Sequence, residues 1–239
     1  LYDSVRQAYV IAEIALVAVT ALWVIVDKNL PNGVNPPSEK PALNTFLVAA
    51  KNTNVWLIAL AVGFTLSSST AFAGLLPQAL ESGTGMSGFA AGNMAASVTI
   101  ASIFGCIAGP ALCAHLKSFK PYLMIINIVA SAAMLSVWYV EGNASLHFTL
   151  AASGFLSAMT GPILQAMPVM MRGIGSRFAG SASGIIGTVS LAMSFLLPIL
   201  ISALPNENYE IDLIMQAACF ATSILPIAML SKIEKEQPA

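Results

Sequence analysis

The 239-residue sequence has a net charge of −1, and 57% of its residues are hydrophobic while only 9% are charged. Ordinary globular domains hold about a quarter charged residues, so this composition excludes a water-soluble domain. The net charge says nothing about partners, and no nucleic-acid partner is expected. How the charges are distributed along the chain is what carries information.

A helix needs about 20 mostly apolar residues to cross a bilayer core. Seven stretches meet this, at 7–26, 55–76, 89–114, 121–140, 147–171, 179–204 and 212–230. The runs are long and lack period-two alternation, which argues against a strand-built barrel. Helices also satisfy their own backbone hydrogen bonds, which lipid cannot do. The expected fold class is an all-α polytopic membrane protein with seven transmembrane helices.

Residues 1–26 hold the first helix. The sequence opens on Leu1 rather than Met, in what reads as a loop leading into that helix, and we expect it to be a fragment lacking its N-terminal part. Asp3 and Glu13 stand where a signal peptide would have a basic and then an apolar region. Glu13 is the one acid well inside a span. A central charge costs about 2.5–3.5 kcal/mol on insertion scales, which makes Glu13 a candidate for proton coupling. The alternative is a neutral or partly hydrated carboxyl with no role, since Glu13 lies only about 10 Å below the helix end.

Residues 27–54 form a linker. Its part at 29–41 is rich in Pro, Asn and Gly and should be irregular. Leu43, Phe46, Leu47 and Ala50 then recur at helical spacing and Lys51 closes the run, which predicts a short amphipathic helix at the membrane surface. Residues 55–231 are expected to form a six-helix bundle, and 232–239 a tail. With seven spans, one side of the membrane holds Lys28, Lys40, Lys51, Lys117, Lys120, Arg172, Arg177, Lys232 and Lys235. The other holds Arg6 with Asp3, Glu81, Glu141, Glu207, Glu210 and Asp212. The basic side is therefore cytoplasmic, the C-terminus with it, and the protein is expected in the plasma (inner) membrane.

Within the spans, Gly88/Gly92, Gly105/Gly109 and Gly180/Gly184 have the small-xxx-small spacing that lets helix backbones approach. Gly180, Ser183, Gly187, Ser190 and Ser194 extend it as a stripe on one helix face. Static packing and a moving interface are both open for that stripe. Pro77, Pro110, Pro162, Pro168, Pro198 and Pro226 punctuate the spans, and a proline inside a helix removes a backbone hydrogen bond and tends to kink it. Polar residues at mid-span are Ser67 to Thr70, Asn93 with Ser97, Asn127, Thr160, Gln165 and Gln216. Serine and threonine can bond to their own helix; Asn93 and Gln165 are harder to hide and are expected to face a partner or a cavity. Cys106, Cys113 and Cys219 lie in apolar runs as small packing residues, neither a disulfide framework nor a metal site. No HExxH, GxSxG, phosphate loop or paired intramembrane carboxylate is present, so no enzyme, cofactor or metal is expected.

The stretch from residue 154 to 204 resembles the tenth and eleventh helices of the major facilitator superfamily. The likeness rests on Gly161-Pro162 in the first helix, a basic turn with Arg172 and Arg177, the small-rich entry Gly180-Ser-Ala-Ser-Gly184 and the late Pro198. The segment GPALCAHLKSFKP from Gly109 is similar to a degraded form of the family's Gly-x-x-x-Asp-Arg-x-Gly loop, with Ala114 and His115 in place of Asp and Arg. Lys117 and Lys120 keep its basic character.

The resemblance implies that the seven helices are the sixth to twelfth of a twelve-helix transporter whose N-terminal helical half is the missing partner. It implies a central cavity lined by the second, third, fifth and sixth segments, with Ser68, Thr70, Asn93, Ser97, Thr160, Gln165, Ser190 and Ser194 as cavity candidates. Lys117, Lys120, Arg172 and Arg177 become the cytoplasmic gate and loop residues, while Glu13, Asn127 and Gln216 fall on peripheral helices. The implied activity is secondary active transport of a small solute by alternating access. The alternative is a seven-helix receptor or scaffold that transports nothing. The uncharged cavity candidates favour a neutral or amphipathic solute.

Overall fold

The computed structural model describes residues 2–27, 43–116, 118–140, 142–171, 173–203 and 209–231, and among these there is no β-strand. The chain divides into two units, residues 1–40 and 41–239. The first contains a single helix, α1 (Tyr2–Asp27). From Ile14 to Val26 its sequence is apolar on every face, a pattern suited to surroundings that are themselves apolar.

The second unit begins with α2 (Leu43–Lys51), where an amphipathic helix was expected. In it Ala49 is buried and Ala50 packs partly buried against the core, while Phe46 and Leu47 are exposed. α2 lies against α8 (Gly175–Ser202) and the start of α3 (Thr53–Thr84). Asn52 caps α3 by accepting from the Asn54 amide at 3.0 Å, and Gly85 ends it at φ 68°, a left-handed conformation suited to glycine. α4 (Gly88–Ala114) and α5 (Phe119–Ser136) follow, α5 running on into a 3-10 turn at Val137–Tyr139.

The segment expected as one span at 147–171 is two helices, α6 (Asn143–Ala158) and α7 (Gly161–Met170). Pro162 has no N–H to give the Ala158 carbonyl, and Met159 closes the end of α6 with a tight bond from its own amide to the Leu156 carbonyl (3.3 Å). Neither piece reaches the length of a span. The last segment also breaks, at Ser223, into α9 (Tyr209–Thr222) and α10 (Ile224–Met229), with Pro226 in the new helix. Pro77, Pro110 and Pro198, by contrast, sit inside helices that continue through them.

Among the described residues, five helical stretches are long and apolar enough to cross a membrane: Thr53–Thr84, Gly88–Ala114, Phe119–Tyr139, Gly175–Ser202 and Tyr209–Met229. The molecule is an all-helical, integral membrane protein. Lys120 Nζ donates to the Leu230 carbonyl (3.0 Å) and the Ser231 amide to Asn54 Oδ1 (3.2 Å), so the starts of α3 and α5 and the end of α10 meet at one end.

The core has two apolar clusters stacked along the helices. Nearer the Lys120 end are Ile58, Val62, Leu123, Leu164, Met167, Ile186 and Ile227. Nearer the other are Phe72, Leu76, Leu80, Met94, Met134, Leu150 and Phe220. Most of the buried polar residues, Thr65, Ser67, Ser68, Asn127, Ser131, Ser153, Thr160 and Ser223, fall along the chain where one cluster gives way to the other. The candidate site and the seam treated below both border that belt, with Gln216 of the seam set among the second cluster's residues on α9.

Candidate functional site

Two cavities open along one face of α3. Val62, Leu66, Ser69, Thr70 and Ala73 line them, at spacings of four, three, one and three that keep them on a single helix face. The larger, about 280 Å³, is completed by Thr99 and Ser102 of α4, Met134 of α5 and Ser153, Gly154 and Ser157 of α6. The smaller, about 250 Å³, is completed by Gln165 of α7 and by Ser183, Gly187 and Ser190 of α8. The break at Met159 and Thr160 separates α6, which lines the first, from α7, which lines the second.

Backbone contact between α4 and α6 holds that break in place. A Cβ added at Gly105 would run into the Phe155 carbonyl, one at Gly109 into the Met159 carbonyl, and one at Gly154 into the Val98 carbonyl. The Gly105/Gly109 pair thus serves as a close-packing motif, and Tyr122 reinforces it by donating to the Gly109 carbonyl at 3.1 Å. Gly92, Gly180, Gly184 and Gly187 have the same spacing but face open space within the chain.

The larger cavity carries six hydroxyls and no charge. Ser102, Ser153 and Ser157 return their protons to the carbonyls of Thr99 (2.6 Å), Leu150 (2.8 Å) and Gly154 (3.1 Å), and keep lone pairs to accept from a guest. In the smaller cavity Ser190 bonds back to Gly187 (3.1 Å), and Gln165 is exposed with its carboxamide available as both donor and acceptor. Such linings can hold an uncharged polar solute.

The expected site residues separate into groups. Thr70 lines the larger cavity, while Gln165 and Ser190 are brought together in the smaller. Ser68 does not belong to either: it is fully buried and donates to the Gln216 carbonyl on α9. Its neighbours Ser69 and Thr70, one and two residues on, turn about 100° per residue toward the cavity instead. Asn93, expected to need a partner, is exposed outside both cavities, and Ser97 spends its proton on the Met94 carbonyl (2.6 Å). Ser194 likewise bonds back to Leu191 (2.9 Å). Thr160 sits at the helix break, fully buried, its hydroxyl without a partner among the described residues.

Glu13 lies on α1 with an exposed side chain. Lys120 is held by the Leu230 carbonyl, and the Arg177 guanidinium stands 5.4 Å from the Phe178 ring centre. Lys117 and Arg172 lie outside the described residues, as does the linker at 28–42. Of the cysteines, Cys113 is buried as expected of a packing residue, while Cys106 is exposed. Sequence reasoning missed Thr99, Ser102, Ser153 and Ser157; their signal was the i, i+3 and i, i+4 spacing that places each pair on one helix face.

No protein-family model matches the sequence. An uncharacterized protein of Archaeoglobus fulgidus is 26% identical over 187 residues, covering 78% of this chain and 84% of that protein.

Proposed function

We propose that the protein is a permease half that takes part in secondary active transport of a small, uncharged solute by alternating access. The observation that carries this reading is the broken helix α6–α7 standing between two hydroxyl- and amide-bearing cavities on one face of α3. Transporters bind substrate near the bilayer midplane at discontinuous helices, where the interrupted backbone supplies polar groups to the cavity. Counting α6–α7 as one broken span and α1 as another gives seven spans, in keeping with the sixth to twelfth helices of the major facilitator superfamily. The open face of Gly180, Gly184 and Gly187 would then meet the other helical half, and the Lys120 end would be cytoplasmic by its basic loops.

Uptake of a panel of labelled solutes into proteoliposomes holding the full-length protein, with and without a proton gradient, tests the proposal. Saturable uptake that falls on Gln165→Ala is expected. No uptake of any solute by protein that is folded and correctly inserted would favour a receptor or scaffold instead.

A further inference from the structure

The polar groups least accounted for lie away from both cavities, between α5 and α9. Asn127 is fully buried on α5; its Nδ2 donates to the Leu123 carbonyl at 2.7 Å, and its Oδ1 lies 3.0 Å from the Ser223 hydroxyl at the end of α9. The Ser223 hydroxyl also lies 2.7 Å from the Phe220 carbonyl, so its one proton is shared between two acceptors, and its approach to Asn127 shows which faces of the two antiparallel helices meet. Ser131 is four residues on from Asn127, about 6 Å along α5 on nearly the same face. Gln216 is seven residues back from Ser223, about 10 Å along α9 in the same direction and again on the same face. Ser131 and Gln216 therefore stand within a turn of each other in one seam.

Gln216 is 0% exposed and Ser131 5%, and the Ser131 hydroxyl and both polar atoms of the Gln216 carboxamide have no hydrogen-bond partner among the described residues. The apolar side chains of the surrounding cluster, Ala130, Met134, Leu213, Ala217 and Phe220, can supply none, and the Ser68 hydroxyl of α3, which reaches α9 here, donates to the Gln216 backbone carbonyl instead. Leaving such groups unpaired costs about 1–3 kcal/mol each.

We infer that this seam is a binding site for water, one or two molecules bridging Ser131 Oγ to the Gln216 carboxamide inside the bilayer-spanning bundle. The chemistry of the set selects the ligand. The carboxamide oxygen only accepts, the amide nitrogen only donates, and the hydroxyl does either. A cation would satisfy the oxygens and leave the amide protons facing its charge; an anion would do the reverse. Water donates and accepts, and buried waters typically make about three such bonds.

Radiolytic hydroxyl-radical labelling of the full-length protein in nanodiscs, read by mass spectrometry, tests the site, because buried water generates radicals in place. Phe220 is fully buried and one turn from Gln216. Its ring should be oxidised promptly in the native protein and several-fold less in Gln216→Met and Ser131→Ala. In detergent unfolding titrations, each single change should lower the folding constant about 5- to 100-fold, and the double change by much less than the product. Background labelling of Phe220 in the native protein overturns the inference whatever the variants do. Coupled stabilities without labelling would mean a direct Ser131–Gln216 bond, and additive or stabilising effects would mean a dry seam; either also overturns it.

Discussion

The face of α3 turned to α6–α7 and the seam between α5 and α9 are both polar at mid-span, yet they treat polarity in opposite ways. On the α3 face, hydroxyls bond back to their own helices and line open cavities, and Gly180, Gly184 and Gly187 of α8 have no described residue against the position of a Cβ. In the α5–α9 seam, fully buried side chains add a contact across helices to their own-helix bonds, as Ser223 does toward Asn127, or have no partner among the described residues, as with Gln216. A surface that must accept a guest keeps its own structure satisfied without that guest. A surface that holds helices together depends on every partner. Substitutions should therefore harm folding in the second region and activity in the first.

The largest effect belongs to the backbone contact that braces the break. Gly109→Val would drive a side chain into the Met159 carbonyl, and a loss of about 3 kcal/mol or more is expected in detergent unfolding, with little correctly folded protein recovered. Next comes the seam: Ser223→Ala removes the cross-helix partner of Asn127 Oδ1 and should cost about 1–3 kcal/mol in the same assay. A smaller effect, and one of a different kind, is expected on the α3 face. Gln165→Ala should leave stability within about 0.5 kcal/mol of the parent. The loss of one solute hydrogen bond should reduce uptake about fivefold. The smallest is Gly184→Ala, whose new methyl meets nothing within the chain; it should stay within about 0.5 kcal/mol by unfolding. A large cost there would show that the open face of α8 is packed after all.

The helical class and the long apolar spans were legible because lipid leaves the chain little choice: about 20 apolar residues and a self-satisfied backbone. Which of several identical local signals is used was not legible. Gly105/Gly109 and Gly180/Gly184 have the same spacing, and only the first pair meets a neighbouring backbone, because α6 happens to cross there. Pro162 and Pro198 both lie in apolar runs; α8 continues through Pro198, whereas the chain breaks before Pro162, where the Met159 carbonyl is pressed against Gly109 on α4. The same limit applies to the site. Ser68 and Thr70 are two residues apart, yet one faces α9 and the other a cavity. Gln216, grouped by composition with Gln165, is buried where Gln165 is exposed. Facing is a property of tertiary packing, and a single sequence states it only through periodicity.

Side-specific thiol labelling tests the central claim most directly. With Cys106, Cys113 and Cys219 replaced, Thr70→Cys and Gln165→Cys would be introduced separately into the full-length protein in oriented vesicles. A membrane-impermeant reagent would then be applied to each side in turn. Two cavities separated by a helix break predict that Gln165→Cys is modified from the side bearing Lys120, and Thr70→Cys from the side bearing Tyr209. Modification of both from one side only, or of neither, would contradict it.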